Sequence, residues 1–356
     1  MSLPQRNSPE ESVRPVMQNK QPSPKRNGPI RVLSNFRNLD QSMLPEAALA
    51  IEHLGADDGV AGALRFLRKC IQSDLVILNV GERHLRLACL LKYALPFLKF
   101  KIISADLILR TPRTFQARVK AALNKFLWKR VDRFILYFTD LRGYERYFGI
   151  SPDRVTYVPF KVNGWEKVTT WPADPQDGSY VLCAGRTLRD VNTFVQAVGK
   201  AGCPGVLLQQ SRELLTAHGT EPWQRELPPN VKLVTDNTTT PETFFDFISK
   251  ARIVVLPRFK HDIAASGIGT YIVAMALKRC VIISEGPAAN DVMTDQAVFV
   301  PPENVEKLAD QIKLLWHDDA LRSKIAARGQ AYALSLKDER RLLTDILRVS
   351  VSHLEA

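Results

Sequence analysis

The chain has 356 residues, 45% of them hydrophobic, and 49 Lys+Arg against 37 Asp+Glu give a formal net charge of +12. This length suggests about two domains with real cores, and it excludes a wholly disordered chain. No run reaches the ~18–20 apolar residues of a membrane span. The most apolar stretch, 85–103, is broken by Lys92, Pro96, Lys99 and Lys101.

In chain order, residues 1–29 are rich in Pro, Gln, Asn, Ser and Arg, without periodicity or a signal-like apolar run, and are expected to form a disordered tail. Beyond them, short apolar runs at 31–34, 75–80, 101–105, 133–138 and 155–160 predict strands. Helix-period stretches at 44–54, 59–72, 83–95, 114–131 and 139–148 lie between them. Residues 161–178 are polar, hold two Pro and two Gly, and read as a linker. A second alternating series follows, with strands at 180–184, 205–209, 231–234, 253–257, 281–284 and 298–300. Its helices fall near 189–200, 241–251, 268–278, 303–316 and 318–332, and an amphipathic segment at 337–353 can reach back to the first unit. The expected class is α/β, with two similar units (30–160 and 179–335), each a parallel sheet with helices on both faces, a cleft between them for a ligand, and a final helix at 336–356.

Charge is unevenly placed. Residues 1–165 hold 27 Lys+Arg and 14 Asp+Glu, whereas 166–356 hold 22 and 23. Within 98–147 there are 12 basic and 4 acidic residues. At 114–132, Phe115, Val119, Ala122, Leu123 and Phe126 share one helical stripe flanked by Arg118, Lys120, Lys125 and Lys129. Such a stripe either packs on a sheet with its cations solvated or lies on an anionic membrane surface. Nucleic acid is not expected as a partner, since no recognition motif is present. Five scattered cysteines without a CxxC pair speak against structural zinc or a disulfide framework, so the expected setting is the cytoplasm, with peripheral membrane contact through 98–147.

Two segments of the second unit suit a diphosphate. Gly185-Arg186-Thr-Leu-Arg189-Asp190 follows a predicted strand and places two guanidiniums at its carboxyl end. Alternatively, both pair with Asp190 and solvent. The second segment, Ser266-Gly267-Ile268-Gly269-Thr270, opens a helix after another strand, where backbone N–H groups are unpaired and glycines admit a close ligand.

Together these runs resemble the GT-B glycosyltransferases of family 4 (group 1). Gly185 to Val198 resembles the family's G-R-x-x-(K/R)-D segment, Ala274-Met275-Ala276 to Ile282 its E-A-M-A-x-G-x-P-V-I step, and Val298 to Arg322 its C-terminal tail. The resemblance covers about 178–332. It implies two Rossmann-like domains facing across the cleft and metal-independent transfer from a UDP- or GDP-sugar, as co-substrate, to a saccharide or lipid-linked acceptor, with no cofactor and no metal. It implies donor contacts from Arg186, Arg189, Ser266, Gly267, Ile268, Gly269 and Thr270. The family's two donor-site glutamates are replaced here by Ser266 and Val273, so either nucleotide binding differs here or Glu285 substitutes at the ribose. Ser34-Asn35-Phe36-Arg37 stands where the family has a Gly-rich loop. A nucleotide-sugar 2-epimerase and a non-catalytic binding protein of this fold are the alternatives.

Candidate catalytic groups on the acceptor side are Asp106, after the strand at 101–105, and His84, after the strand at 75–80. His261, in the donor-side loop, is a third.

Overall fold

The computed structural model describes residues 28–55, 59–80, 82–172, 178–235 and 240–355. Most of the expected N-terminal tail, residues 1–27, lies outside them.

The first unit is a six-stranded parallel sheet of β1 (Ile30–Ser34), β2 (Leu49–His53), β3 (Leu75–Asn79), β4 (Lys101–Ala105), β5 (Arg133–Leu136) and β6 (Val155–Tyr157), in the order β2-β1-β3-β4-β5-β6. Its helices are α1 (Gly59–Gln72), α2 (Glu82–Ala94), α3 (Phe115–Leu127) and α4 (Arg142–Phe148). Alternate strand residues point to opposite faces. Leu33, Val76, Leu78 and Phe134 pack under α1–α4, while Val32, Leu75, Ile77 and Ile135 face the other way.

That second face is covered by α12 (Glu339–Glu355) through Leu342, Leu343, Ile346 and Leu347. The chain thus crosses twice between units. The two crossings are bonded together, Val162 N–H donating to Lys337 O at 2.9 Å, and Arg341 fastens them by donating to the carbonyls of Pro159 (2.9 Å) and Phe160 (2.5 Å).

The second unit holds β7 (Tyr180–Cys183), β8 (Gly205–Gln209), β9 (Val231–Thr235), β10 (Ala251–Leu256), β11 (Cys280–Ser284) and β12 (Val298–Val300), ordered β12-β11-β10-β7-β8-β9. Its helices are α6 (Val191–Ala201), α7 (Arg212–Ala217), α8 (Pro241–Ser249), α9 (Ile268–Ala276), α10 (Val305–His317) and α11 (Asp319–Leu336). Strand order reverses between β7 and β10. Open α/β sheets take ligands at such a switch point, outside the carboxyl ends of the strands.

Three expectations change. The helix expected at 44–54 is edge strand β2, paired in parallel with β1 from Ile30–Leu49 to Ser34–His53. Its alanines favour helix locally, and the sheet pairing overrides them. The linker expected at 161–178 contains the short helix α5 (Trp165–Thr169), whose Val168 is buried, and Trp171 packs edge-on against Phe245. The apolar stripe of α3 does not pack on the sheet: Ala121, Asn124 and Leu127 form the buried face, and the stripe points to solvent.

Candidate functional site

The donor-side site grows from the turn after β7. Gly185 (φ +101°) bends the chain and Leu188 (φ +52°) bends it again, which folds Arg189 back under the turn. Its backbone pairs with Arg258, after β10, in an isolated bridge. Asp190 caps α6, accepting from the Thr193 N–H (3.0 Å) and hydroxyl (2.5 Å). Its oxygens are therefore taken up by the cap, and it forms no ion pair with Arg186 or Arg189 among the described residues.

Arg189 is 2% exposed. Its Nε donates to Ala184 O (3.2 Å) and its Nη1 to Thr187 O (2.8 Å). Burial brings its pKa down to about 10; the Cys183 thiol and Asp262 oppose this, and Arg258 adds to it. It is still a cation at neutral pH. A buried cation whose side-chain hydrogen bonds among the described residues go to carbonyls alone is poised for an anion that arrives from outside. Its Nη2 has no acceptor among the described residues and lies between Gly185 and Gly267, where a β-carbon would stand 3.0 and 2.4 Å away.

Arg258, by contrast, is saturated. It pairs with Asp262 (2.9 Å) and donates to Pro287 O and Ala264 O, both at 2.6 Å. Asp262 also accepts from the Ala264 N–H (3.0 Å) and the Ser266 hydroxyl. This buried network holds the turn that starts α9. Gly267 (φ +88°) occupies the cap position with no side-chain cap. The Ser266 amide is taken by Ala264 O and the Ile268 amide loosely by Ala265 O at 3.4 Å. The amides of Gly267 and Gly269 have no acceptor among the described residues.

These elements border a cavity of about 600 Å³, a size suited to a nucleotide-sized ligand. Arg186, Arg189, Ser266, Gly267, Ile268, Gly269 and Thr270 all line it. Several other contributors carry no local sequence signal. Asn163, from the supposed linker, packs its amide so close to Gly269 that a β-carbon there would lie 2.5 Å from it. Gln210 lines the wall with its Oε1 unpaired, and Phe244 and Val273 add apolar surface. Glu285 is elsewhere: β11 runs in register with β12, Glu285 N–H donates to Val300 O, and the exposed side chain borders a separate depression with Arg142 and Arg146. Val273 therefore lines the cavity, and among the described residues no carboxylate joins it there.

A second cavity of about 670 Å³ adjoins the first through Ile108, Arg186 and Thr187. Its acceptor-side wall comes from the loop after β4 and the inner face of α3, and its lining is basic, with Arg110, Lys120 and Arg186 against one carboxylate, Glu82, and with His218 beside them. Burial, then Arg186 and Arg110, push the His218 imidazole below its ordinary pKa. The units are joined across it: Arg110 donates to Ala217 O (2.9 Å) and Thr111 to His261 O (2.6 Å).

The three catalytic candidates separate. Asp106 ends β4 in a left-handed conformation (φ +49°), its N–H donating to Ile135 O. Burial pushes its carboxyl up to about 7, and it lies close enough to Tyr137 and Tyr144 to raise both phenols. It borders neither cavity directly but stands two residues before Ile108, which borders both. His84 lies on α2 with its ring edge-on to Phe66 of α1 (4.8 Å), away from both cavities. His261 stacks on Phe259 (5.0 Å) and offers its carbonyl, not its ring, to the contact with Thr111. Among the described residues, no group of three His, Cys, Asp or Glu is placed to hold a metal ion.

No protein-family model matches the chain, and no curated protein sequence does. Solved structures do. A glycosyltransferase from Rickettsia africae superposes with a TM-score of 0.61 at 13% identity, over 91% of this chain and 90% of that one. HepE from Anabaena, solved with UDP-glucose, gives 0.62 at 11% identity, over 91% and 100%. Sucrose-phosphate synthase from Thermosynechococcus elongatus gives 0.60 at 15%, over 92% and 99%. The likeness runs through both units, so the chain has the two-domain GT-B architecture. Of these structures, the one from Rickettsia africae is a glycosyltransferase and HepE was solved in complex with UDP-glucose.

Proposed function

We propose that the chain transfers a glycosyl group from a uridine or guanosine diphosphate sugar to a saccharide or lipid-linked acceptor. The observation that carries this reading is Arg189: a buried guanidinium with one free edge between two glycines, at the switch point of the second sheet. Arg189, Arg186 and the unbonded amides of Gly267 and Gly269 border one cavity, which suits a diphosphate. HepE, of the same fold, was solved with UDP-glucose, which supports a donor of this type. The base would lie toward the Phe244 and Gln210 side of the cavity.

In the transfer, an acceptor hydroxyl oxygen bonds to the anomeric carbon as the bond from that carbon to the diphosphate oxygen breaks. The diphosphate leaves with the electron pair, and its growing charge meets the two arginines and the start of α9. The hydroxyl proton passes to a base, for which the candidate is Asp106, two residues before the Ile108 that borders both cavities and raised to about 7 by burial, provided that the loop after β4 brings its carboxyl to the acceptor.

Calorimetry with UDP and GDP, followed by turnover of the corresponding sugars, tests the reading. Binding of one nucleotide that is lost in Arg189→Ala, and turnover that needs an acceptor, are the expected results. Turnover without acceptor would instead mark an epimerase. Binding of neither nucleotide would leave a binding protein of this fold.

A further inference from the structure

Helix α3 is built inside out for a soluble protein. Phe115, Val119, Leu123 and Phe126 recur along one face and are 81%, 55%, 53% and 52% exposed. A contiguous exposed stripe of large apolar side chains marks an interaction surface. Nearby, Phe126 stacks on Tyr93 (4.6 Å), Arg130 lies over the Tyr93 ring (4.5 Å), and Leu90 and Phe97 are also exposed. Between Arg113 and Val131 the sequence carries six basic residues and no acidic one. Lys120 pairs with Glu82 (3.1 Å), while Arg113, Arg118 and Lys129 have no carboxylate partner among the described residues.

We propose that α3 is a docking surface for an anionic phospholipid bilayer, lying flat with the stripe of Phe115 to Phe126 among the acyl chains and its cations at the headgroup phosphates. Charge decides between occupants. A second copy meeting through the same face would set one acid-free basic segment against another, so lipid phosphate is the complementary surface. A nucleic acid would match the cations but not the apolar stripe between them. The helix is 13 residues long, roughly 20 Å, and no helix of the described residues is long and apolar enough to cross a membrane. The opposite face of α3 gives Ala117, Lys120, Ala121 and Asn124 to the basic second cavity. Docking therefore brings that cavity within about one helix diameter of the headgroups.

The test is flotation of the full chain with phosphatidylglycerol–phosphatidylcholine vesicles and with pure phosphatidylcholine vesicles; it reads no turnover and so stands apart from the transferase reading. The expected result is binding to the anionic vesicles at low salt, at least about tenfold stronger than to the neutral ones, and lost near 1 M salt, where the Debye length is about 3 Å. Phe115→Ser with Leu123→Ser, and separately Lys125→Glu with Lys129→Glu, should each weaken it at least about tenfold. All four side chains are exposed, so unchanged melting temperatures check that the variants fold. Equal binding to both vesicle types, or binding to neither, overturns the proposal. So does a wild-type dimer in sedimentation that the Phe115/Leu123 variant dissociates, since a second copy would then cover the stripe.

Discussion

Gly267 leaves the space that the Arg189 guanidinium fills. A β-carbon at Gly267 would stand 2.4 Å from Arg189 Nη2, and the glycine's φ of +88° is one that side-chain-bearing residues rarely adopt. Gly267→Ala should therefore displace the guanidinium and lower donor turnover at least ~100-fold, with nucleotide affinity falling in calorimetry. A smaller loss is expected at Gly202, which also has a positive φ but open space around it.

Arg189→Ala removes the buried cation and leaves the carbonyls of Ala184 and Thr187 without their donor. Urea unfolding should show a loss of about 1–3 kcal/mol. Nucleoside diphosphates should also lose the melting-temperature increase they give the wild type. Arg186→Ala, at an exposed position, should lose the second effect without the first.

Asp262→Asn strips the buried Arg258 of its counter-charge and loosens the Ser266 turn. Breaking one partner of such a pair costs about 3–5 kcal/mol, read as a lower urea midpoint. Glu306→Gln, which breaks the exposed pair with Lys200, should cost less than about 1 kcal/mol.

Asp106 gives a pH dependence of defined sign. Its carboxyl ionises near 3.8 when unfolded and at about 7 when folded. Between those values the unfolded chain holds fewer protons, so the contribution of Asp106 to stability falls as pH rises through that window and is level above it. Asp106→Asn keeps a side chain that tolerates the left-handed backbone. It should flatten that slope and be the more stable protein at pH 8. If Asp106 takes the acceptor proton, the same variant abolishes an inflection near pH 7 in kcat/KM.

All five cysteines are buried and free, and burial pushes the thiols of Cys70, Cys89, Cys183 and Cys280 up to about 12. A thiol reagent should label none of them rapidly in the native protein and all five in denaturant.

The strands were legible because buried parallel strands are short Val/Ile/Leu runs bounded by polar turns, as at Gly205–Gln209 and Cys280–Ser284. Leu49–His53 was not, because an edge strand buries little and the alanines at 47, 48 and 50 carry a helical preference. At the site, Gly185, Arg189 and the Ser266–Thr270 turn were readable from their place after strands. Which arginine is buried was not, since that depends on the Leu188 backbone and the bridge to Arg258. Glu285 lay at a readable strand end too, but β11 directs it to the wrong depression. Asn163 and Gln210 reach the cavity only through tertiary packing, which no local pattern encodes. The stripe on α3 was visible from its period, but its outward direction was not, because periodicity names a face without saying what it meets.

The bonded pair of crossings at Val162 and Lys337 has a mechanical consequence. Two halves joined by a single flexible tether could wander in any direction. Joined by two strands laid side by side, they swing about one spine, like the covers of a book. Substrates held on facing pages then approach along a single arc, and the last helix, by clasping the first sheet, keeps that spine from splitting.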